Sequence, residues 1–408
     1  MLKVKLQVVL LLLVLGLKSF GQQEVNLRAG IPHAFKKIKV GDTLRVVYLG
    51  GSITQATGYR LKSARWLQSR YPKIHIETFN AGVGGTGSDL GLFRLKDDVL
   101  AHHPDLVFIE FAVNDQAADS VKVVTAVERI IRQLYSSDPR TSICFLYTVS
   151  EPMLADYGAK RLPASVAAME RLAAHYRLPS VNFAPAVLSA LGSGRLIFKG
   201  NPADTVPGKL VFSADGTHPL DAGHELYTGF FEKAWRQLEL LKEAPVRSVK
   251  PLTAFLRHTS RHDPGTFATA GWKKVLPGDP QGNFICDFPG LLYSEHDQDS
   301  LVIDFKGTML GLEDVIGPAS NGFSVSIDGK KSFKITRFDK YCSSYRRHYV
   351  LIDLEKGNHH VVIKPDFGPI DKFNILKPEN RAGIADGRYN QNKMFVGKIL
   401  IGGTLISK

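Results

Sequence analysis

The sequence predicts an α/β domain built on a parallel sheet, followed by an all-β domain, and two observations carry this. Over residues 43–241, short apolar runs rich in β-branched residues alternate with stretches whose apolar positions recur every three or four residues. From residue 265 onward, short β-rich runs are separated by turn signals without a helical period. Buried strands separated by helices imply a parallel sheet covered on both faces. The expected form is a flavodoxin-like three-layer sandwich with a five-stranded parallel sheet. The later pattern implies a β-sandwich, jelly-roll-like. A chain of 408 residues, 44% hydrophobic and 22% charged, suffices for two such cores.

The elements follow in chain order. Lys3 and Lys5 precede an apolar run over 8–17, and Ser19-Phe20-Gly21 puts small residues at −3 and −1 of a cut. Residues 1–21 therefore read as a signal peptide, with an uncleaved anchor as the alternative. No Cys follows the run, which argues against a lipoprotein anchor. The mature chain is expected to be secreted or periplasmic, with no integral membrane span. Strands are expected at 44–49, 74–79, 106–111, 143–149 and 180–183. Helices are expected at 117–135, with Val121, Val124, Val127, Ile131 and Leu134 on one face, and at 165–176. A last helix over 220–241 lines up Leu226, Phe230, Trp235, Leu238 and Leu241. The α/β domain is placed at 22–245, a linker at 246–264 and the β-sandwich accessory domain at 265–408. Within the latter, strands are expected at 301–305, 323–327, 348–354 and 359–363, with Asp328-Gly329 and Lys356-Gly357 as hairpin turns.

Composition narrows the function classes. Three cysteines are too few and odd for a disulfide framework. Cys144 lies in an apolar run and reads as a core thiol, while Cys286 and Cys342 pair only if the fold brings them together. No Cys/His spacing suggests zinc. The formal charge of +13 suits either an acidic polymer partner or a solvated basic surface. Nucleic acid is not expected, because no recognition motif accompanies the charge.

Four short segments carry chemistry. The first strand ends in Gly50-Gly51-Ser52, where Ser52 stands at a helix start with its own N–H as an oxyanion donor. The same pattern serves as an ordinary helix cap. The second strand leads into Gly82-Val83-Gly84-Gly85-Thr86-Gly87, which matches a dinucleotide-binding fingerprint literally. That fingerprint belongs to a domain's first strand, with an acidic residue about 20 positions on; here it follows the second strand. The alternative is a loop of N–H groups facing developing negative charge. The third strand leads into Asn114-Asp115, able to aim an amide into the same crevice or to start a turn. Finally, Asp215 precedes His218 by three residues, so that a carboxylate can hold Nδ1–H and leave Nε2 free to accept a proton.

Ser, Gly, Asn and His in this order resemble the four blocks of the SGNH (GDSL-type) hydrolase superfamily, over roughly 39–241. The resemblance implies a catalytic set of Ser52 as nucleophile, His218 as base and Asp215 as its orienter. It implies an oxyanion hole of Ser52, Gly85 and Asn114, and no metal or cofactor. Gly51 stands where the GDSL motif has Asp, a departure that bears on the subfamily. With an added β-sandwich, the chain resembles carbohydrate acetylesterases. The expected function is removal of O-acetyl groups from a glycan, an acidic polysaccharide among the candidates. The competing functions are a lipase or phospholipase, a sugar O-acyltransferase and a non-catalytic glycan-binding protein. Candidate substrate contacts are Arg60, Trp66, Asp89 and Arg94, a loop over 184–213 and, in the second domain, Tyr341, Tyr345, Arg346 and Arg347; each also has a plain packing or surface role available. The sequence leaves the oligomeric state open.

Overall fold

The computed structural model describes residues 24–203, 206–241, 249–253 and 258–406. The expected signal peptide and part of the expected linker lie outside the described residues. The chain forms two compact units: residues up to Gly91 with Asp97–Thr253, and Leu92–Lys96 with Ala254 onward.

The first unit runs β1 (Val25–Asn26), α1 (Pro32–Val40), β2 (Leu44–Gly50), α2 (Ser52–Gln55), α3 (Tyr59–Arg70) and β3 (Ile76–Gly82). It continues with α4 (Ser88–Asp98, whose Leu92–Lys96 is counted with the second unit), β4 (Leu106–Glu110), α5 (Ser120–Ser137), β5 (Ser142–Tyr147), α6 (Leu154–Gly158) and α7 (Ala164–His175). It closes with β6 (Ser180–Asn182), α8 (Ala184–Gly192), β7 (Leu196–Lys199), β8 (Leu210–Ser213) and α9 (Asp221–Glu239). The main sheet has the order β1-β6-β5-β4-β2-β3. The five strands β2 to β6 are parallel, as expected. β1 adds a sixth, antiparallel edge strand through Val25 opposite Val181. Two residues are too few to carry a strand period, which is why the sequence does not announce it.

Two helix faces follow the periodic reading in part. α5 begins at Ser120 because the Asp119 side chain caps it, accepting from the N–H groups of Val121 and Lys122. Val121 is left exposed, while Val124, Val127, Ile131 and Leu134 of the expected face are buried, joined by Val123 and Ile130. α9 buries Tyr227, Phe231, Trp235 and Leu238 in place of Leu226 and Phe230. The aromatic stripe wins because it finds ring partners: Phe231 meets Phe108 at 5.3 Å and Tyr227 stacks on Phe183 at 4.6 Å. The expected loop over 184–213 is instead helix α8 and a two-stranded parallel sheet of β7 and β8.

The second unit is all-β. Its strands are β9 (Thr259–His262), β10 (Lys273–Lys274), β11 (Leu292–Ser294), β12 (Leu301–Ile316), β13 (Gly322–Ile327) and β14 (Phe333–Thr336). β15 (Arg346–Pro365), β16 (Met394–Val396) and β17 (Lys398–Leu405) complete it. A six-stranded antiparallel sheet, β14-β13-β15-β12-β17-β9, accompanies a three-stranded sheet, β10-β11-β16. The side chains of Met394 and Val396 join a core with Leu301, Ile303, Phe323 and Ile363, while Phe395 packs with Val315 and Phe288 on the other side. The Asp328-Gly329 turn forms with both residues at positive φ, and Lys330 N–H donates to the Ile327 carbonyl. The Lys356-Gly357 turn does not form, and the two strands expected around it are one strand, β15. Gly357 pairs with Gly307, which pairs with Gly403 on the far side. A Cβ on Gly307 would sit 2.3 Å from the Gly402 carbonyl oxygen, so this glycine row lets three strands close up where β12 carries a register shift. All three cysteines are free, so Cys286 and Cys342 do not pair.

Candidate active site

Sheet register assembles the site. Gly50, the last residue of β2, pairs with Gly82 of β3 on one side and Glu110 of β4 on the other. The segments that follow these three strand ends, carrying Ser52, Gly85 and Asn114, therefore leave the sheet side by side. Carboxyl ends of neighbouring parallel strands at a reversal of strand order are where such sheets hold ligands.

Each segment is fixed locally. Gln55 on α2 accepts a hydrogen bond from Gly84 N–H at 2.9 Å, and Val83 N–H donates to the Gly50 carbonyl, which binds the glycine loop to the Ser52 turn. Gly85 has φ +70°, the left-handed region that favours glycine, and faces open space. The Asn114 amide lies over Gly51: a Cβ there would stand 1.9 Å from Asn114 Oδ1. Asp115 accepts from Ser88 N–H at 3.0 Å and anchors the start of α4 beyond the loop. Burial pushes the Asp115 carboxyl up to about 7.

The fourth segment links β8 to α9. Leu220 N–H donates to the Phe212 carbonyl and Ser213 bridges to Pro219, closing the neck of a small loop. Inside it, Asp215 Oδ1 accepts from the Thr217 and His218 N–H groups at 2.8 Å and from Ser213 Oγ at 3.0 Å. Asp215 Oδ2 stands 2.7 Å from His218 Nδ1, and His218 Nε2 stands 2.8 Å from Ser52 Oγ. Partial burial works to raise the Asp215 carboxyl, but the hydrogen bonds from His218 and Thr217 outweigh it and hold the group well below the ordinary carboxylate range. With a carboxylate on Nδ1–H, Nε2 is the acceptor for the Ser52 hydroxyl. His218 and Asp215 keep 52% and 55% of their side-chain surface exposed, so the site opens to solvent.

A further contact joins the start of α3 to α9. His224 in the first turn of α9 accepts from Tyr59 N–H at 3.1 Å, and a Cβ on Gly58 would fall 2.2 Å from its ring. Burial lowers His224 to about 4, which keeps it the neutral acceptor this contact needs. Neither His224 nor Ser213 stood out in the sequence; Ser213, two residues before Asp215, has the spacing of a local hydroxyl–carboxylate contact.

The remaining candidates divide. Arg60 is buried and donates from Nε to the Thr54 carbonyl, a structural role, and Arg94 is fully buried. Trp66 packs edge-on against Phe231 between α3 and α9. Asp89 accepts from Leu90 N–H in the first turn of α4. The end of β7 adjoins the loop of Asp215 and His218, where Glu151 pairs with Lys199 at 3.3 Å and donates its N–H to the Gly216 carbonyl. In the second unit, Arg347 pairs with buried Glu313 and Tyr345 packs on Gly317 and Phe395. Arg346 pairs with Asp339, and Tyr341 is exposed, its ring flanked by Lys340, Arg346 and Lys377. Among the described residues no group of His, Cys, Asp and Glu could hold a metal ion, and no helix is long and apolar enough to cross a membrane.

A hydroxyl, an imidazole and a carboxylate in one hydrogen-bonded line at the carboxyl ends of parallel strands form the arrangement of serine hydrolases. Residues 48–226 match the GDSL-like Lipase/Acylhydrolase family, so the resemblance drawn from four short blocks extends over most of the α/β unit. An acetylxylan esterase of Geobacillus stearothermophilus is 32% identical over 94 residues, 19% of this chain and 42% of that enzyme. The chain thus spans less than half the length of this curated relative. Two crystal structures of a two-domain esterase (CEX) active on acetylated mannans, one of them with mannopentaose, are 20% identical, with TM-scores of 0.69 and 0.67. They cover 94% of this chain and 97% and 98% of their own, so the two-unit fold recurs there.

Proposed function

We propose that this protein is a serine esterase that removes O-acetyl groups from a glycan through an acyl-enzyme on Ser52. The observation that carries the reading is the hydrogen-bonded line from Ser52 Oγ through His218 to Asp215. His218 Nε2 takes the Ser52 proton as Oγ attacks the ester carbonyl carbon. The oxyanion is met by the N–H groups of Ser52 and Gly85 and by the Asn114 amide. Collapse of this intermediate breaks the bond to the sugar oxygen, which takes the proton from His218, and leaves acetyl-Ser52. Water then gives a proton to His218 and attacks the acetyl carbon; acetate departs and Ser52 regains its proton.

The acetyl group on a glycan is favoured by the solvent-open dyad and by the substrates named for the similar esterases. A carbohydrate polymer presents its acetyl groups outside the enzyme, whereas a long acyl chain needs an apolar channel to shelter it. Export rests on the apolar leader over 1–21 and is checked by the N-terminus of protein recovered outside the cytoplasm.

The deciding experiment is acetate release from 4-nitrophenyl acetate and acetylated mannan or xylan, wild type beside Ser52→Ala. Activity confined to the wild type and falling steeply from acetate to octanoate esters is the expected result. Turnover that survives in Ser52→Ala would overturn the nucleophile. Preference for octanoate would turn the reading to a lipase, and transfer to a sugar acceptor ahead of water to an acyltransferase.

A further inference from the structure

The reaction proposed above leaves the buried carboxyl of Glu110, beside the site, unused. Glu110 is 1% exposed and is the last residue of β4, in register with Gly50. Its Oε2 accepts from Thr54 Oγ1 at 3.0 Å and its Oε1 from Thr148 Oγ1 at 2.7 Å. Thr54 lies two residues past Ser52 on α2, and Thr148 directly follows β5. From the central strand, this one side chain reaches the segments that leave both neighbouring strands. Thr54 Oγ1 also lies 2.7 Å from the buried hydroxyl of Tyr59. The donors run one way, from Tyr59 to Thr54 to Glu110, with Thr148 donating from the other side.

We propose that Glu110 is a positioning residue for the nucleophile, acting through Thr54 to fix the one-turn helix that presents Ser52. The inference rests on the reading of Ser52 as nucleophile. α2 spans four residues, too few to hold its own orientation in water. Its anchors are therefore tertiary: the Arg60 guanidinium on the Thr54 carbonyl, Glu110 with Tyr59 on the Thr54 hydroxyl, and the Gly84 N–H and Asn80 amide on Gln55. Gly50 makes the second anchor possible, since a Cβ there would stand 2.4 Å from Thr54 Oγ1. A buried carboxyl is a costly residue to place. In its ionised form it supplies two acceptor oxygens diverging toward two hydroxyls on separate elements, which a hydrocarbon of the same size cannot.

The test uses the full chain carrying Glu110→Ala, Glu110→Gln, Thr54→Val and Glu110→Ala/Thr54→Val, each checked for a cooperative thermal transition. kcat and KM on 4-nitrophenyl acetate are measured beside the rate at which a fluorophosphonate labels Ser52. Loss of position should lower kcat and the labelling rate by about ten- to a hundredfold with KM unchanged. Glu110→Gln should recover most of the loss, because Thr hydroxyls can donate to its oxygen and accept from its NH2. The double variant should fall no further than the lower single one, since both act on one anchor. Folded Glu110→Ala or Thr54→Val with wild-type kcat and labelling overturns the proposal, and so do losses that multiply. If Glu110→Ala does not fold, Thr54→Val and Glu110→Gln decide in the same way. Failure of the wild type to turn over or label at Ser52 would instead strike the esterase reading itself.

Discussion

Replacing Gly51 with alanine should disable the site without disturbing the fold. The backbone at Gly51 has φ −93° and ψ −151°, extended geometry open to any residue, so alanine meets no conformational obstacle there. The obstacle is Asn114. A Cβ at position 51 would stand 1.9 Å from its Oδ1, 2.5 Å from its Cγ and 2.8 Å from its Nδ2, all inside van der Waals contact. The short Asn side chain has to swing away, and the amide leaves the place it holds beside Ser52. With Asn114 in the proposed role of oxyanion donor, its loss costs about 2.7–4 kcal/mol, or roughly a hundred- to a thousandfold in kcat. The assay is kcat and KM on 4-nitrophenyl acetate for Gly51→Ala, Asn114→Ala and the double variant, with thermal midpoints measured beside them. Both single variants should fall by that factor with KM little changed. The double variant should fall no further, because with Asn114 truncated the added methyl has nothing to displace. Full activity in Gly51→Ala refutes the reasoning; losses that multiply in the double variant show that the methyl acts elsewhere. The same contact excludes the Asp of the GDSL motif here: Gly51→Asp should be at least as damaging as Gly51→Ala.

Two other outcomes follow from buried groups. Burial pushes the Glu110 carboxyl up to about 7, against hydrogen bonds from Thr148 and Thr54, from an ordinary value of 4.5. Between those values the native state keeps a proton that the unfolded chain has lost, so this residue's contribution is complete below 4.5 and is lost as pH rises through 7. The gap in unfolding free energy between wild type and Glu110→Gln should shift by about 3 kcal/mol across that window in denaturant titrations, and parallel curves would refute it. Thiol titration should count three free cysteines in denaturant and one in the native protein, since Cys286 is exposed while Cys144 and Cys342 are buried; two equivalents missing in denaturant would mean a disulfide.

Much of the site is legible in the sequence because its four segments are contiguous and sit where strands end. Ser52, Gly85 and Asn114 follow strands whose apolar runs are unbroken, and Asp215 with His218 needs only a three-residue spacing. Glu110 and His224 escape notice for the opposite reason. A Glu ending a strand and a His in a first helical turn are ordinary surface residues until the fold supplies Thr54 and Thr148 for one, Gly58 and Tyr59 for the other. In the second unit, Gly357 reads locally as a turn. Its pairing with Gly307, fifty positions earlier in the chain, makes it the point where long strands approach closely. On α9, Tyr227, Phe231, Trp235 and Leu238 also recur every three or four residues, one position on from Leu226 and Phe230, and the rings of Phe183 and Phe108 decide between the two faces.

The closed neck between Phe212 and Leu220 has a consequence for how activity is gained and lost. Asp215 and His218 meet within one short loop, so their mutual geometry is a local property of the chain and is cheap to form. Ser52 meets His218 across 166 residues of sequence, and that single contact waits for β2, α3 and α9 to come together. The Asp215–His218 pair is thus a preassembled part, and Ser52 is the late arrival. Heat inactivation should begin where α9 parts from Gly58 and Tyr59, while the imidazole still holds its carboxylate.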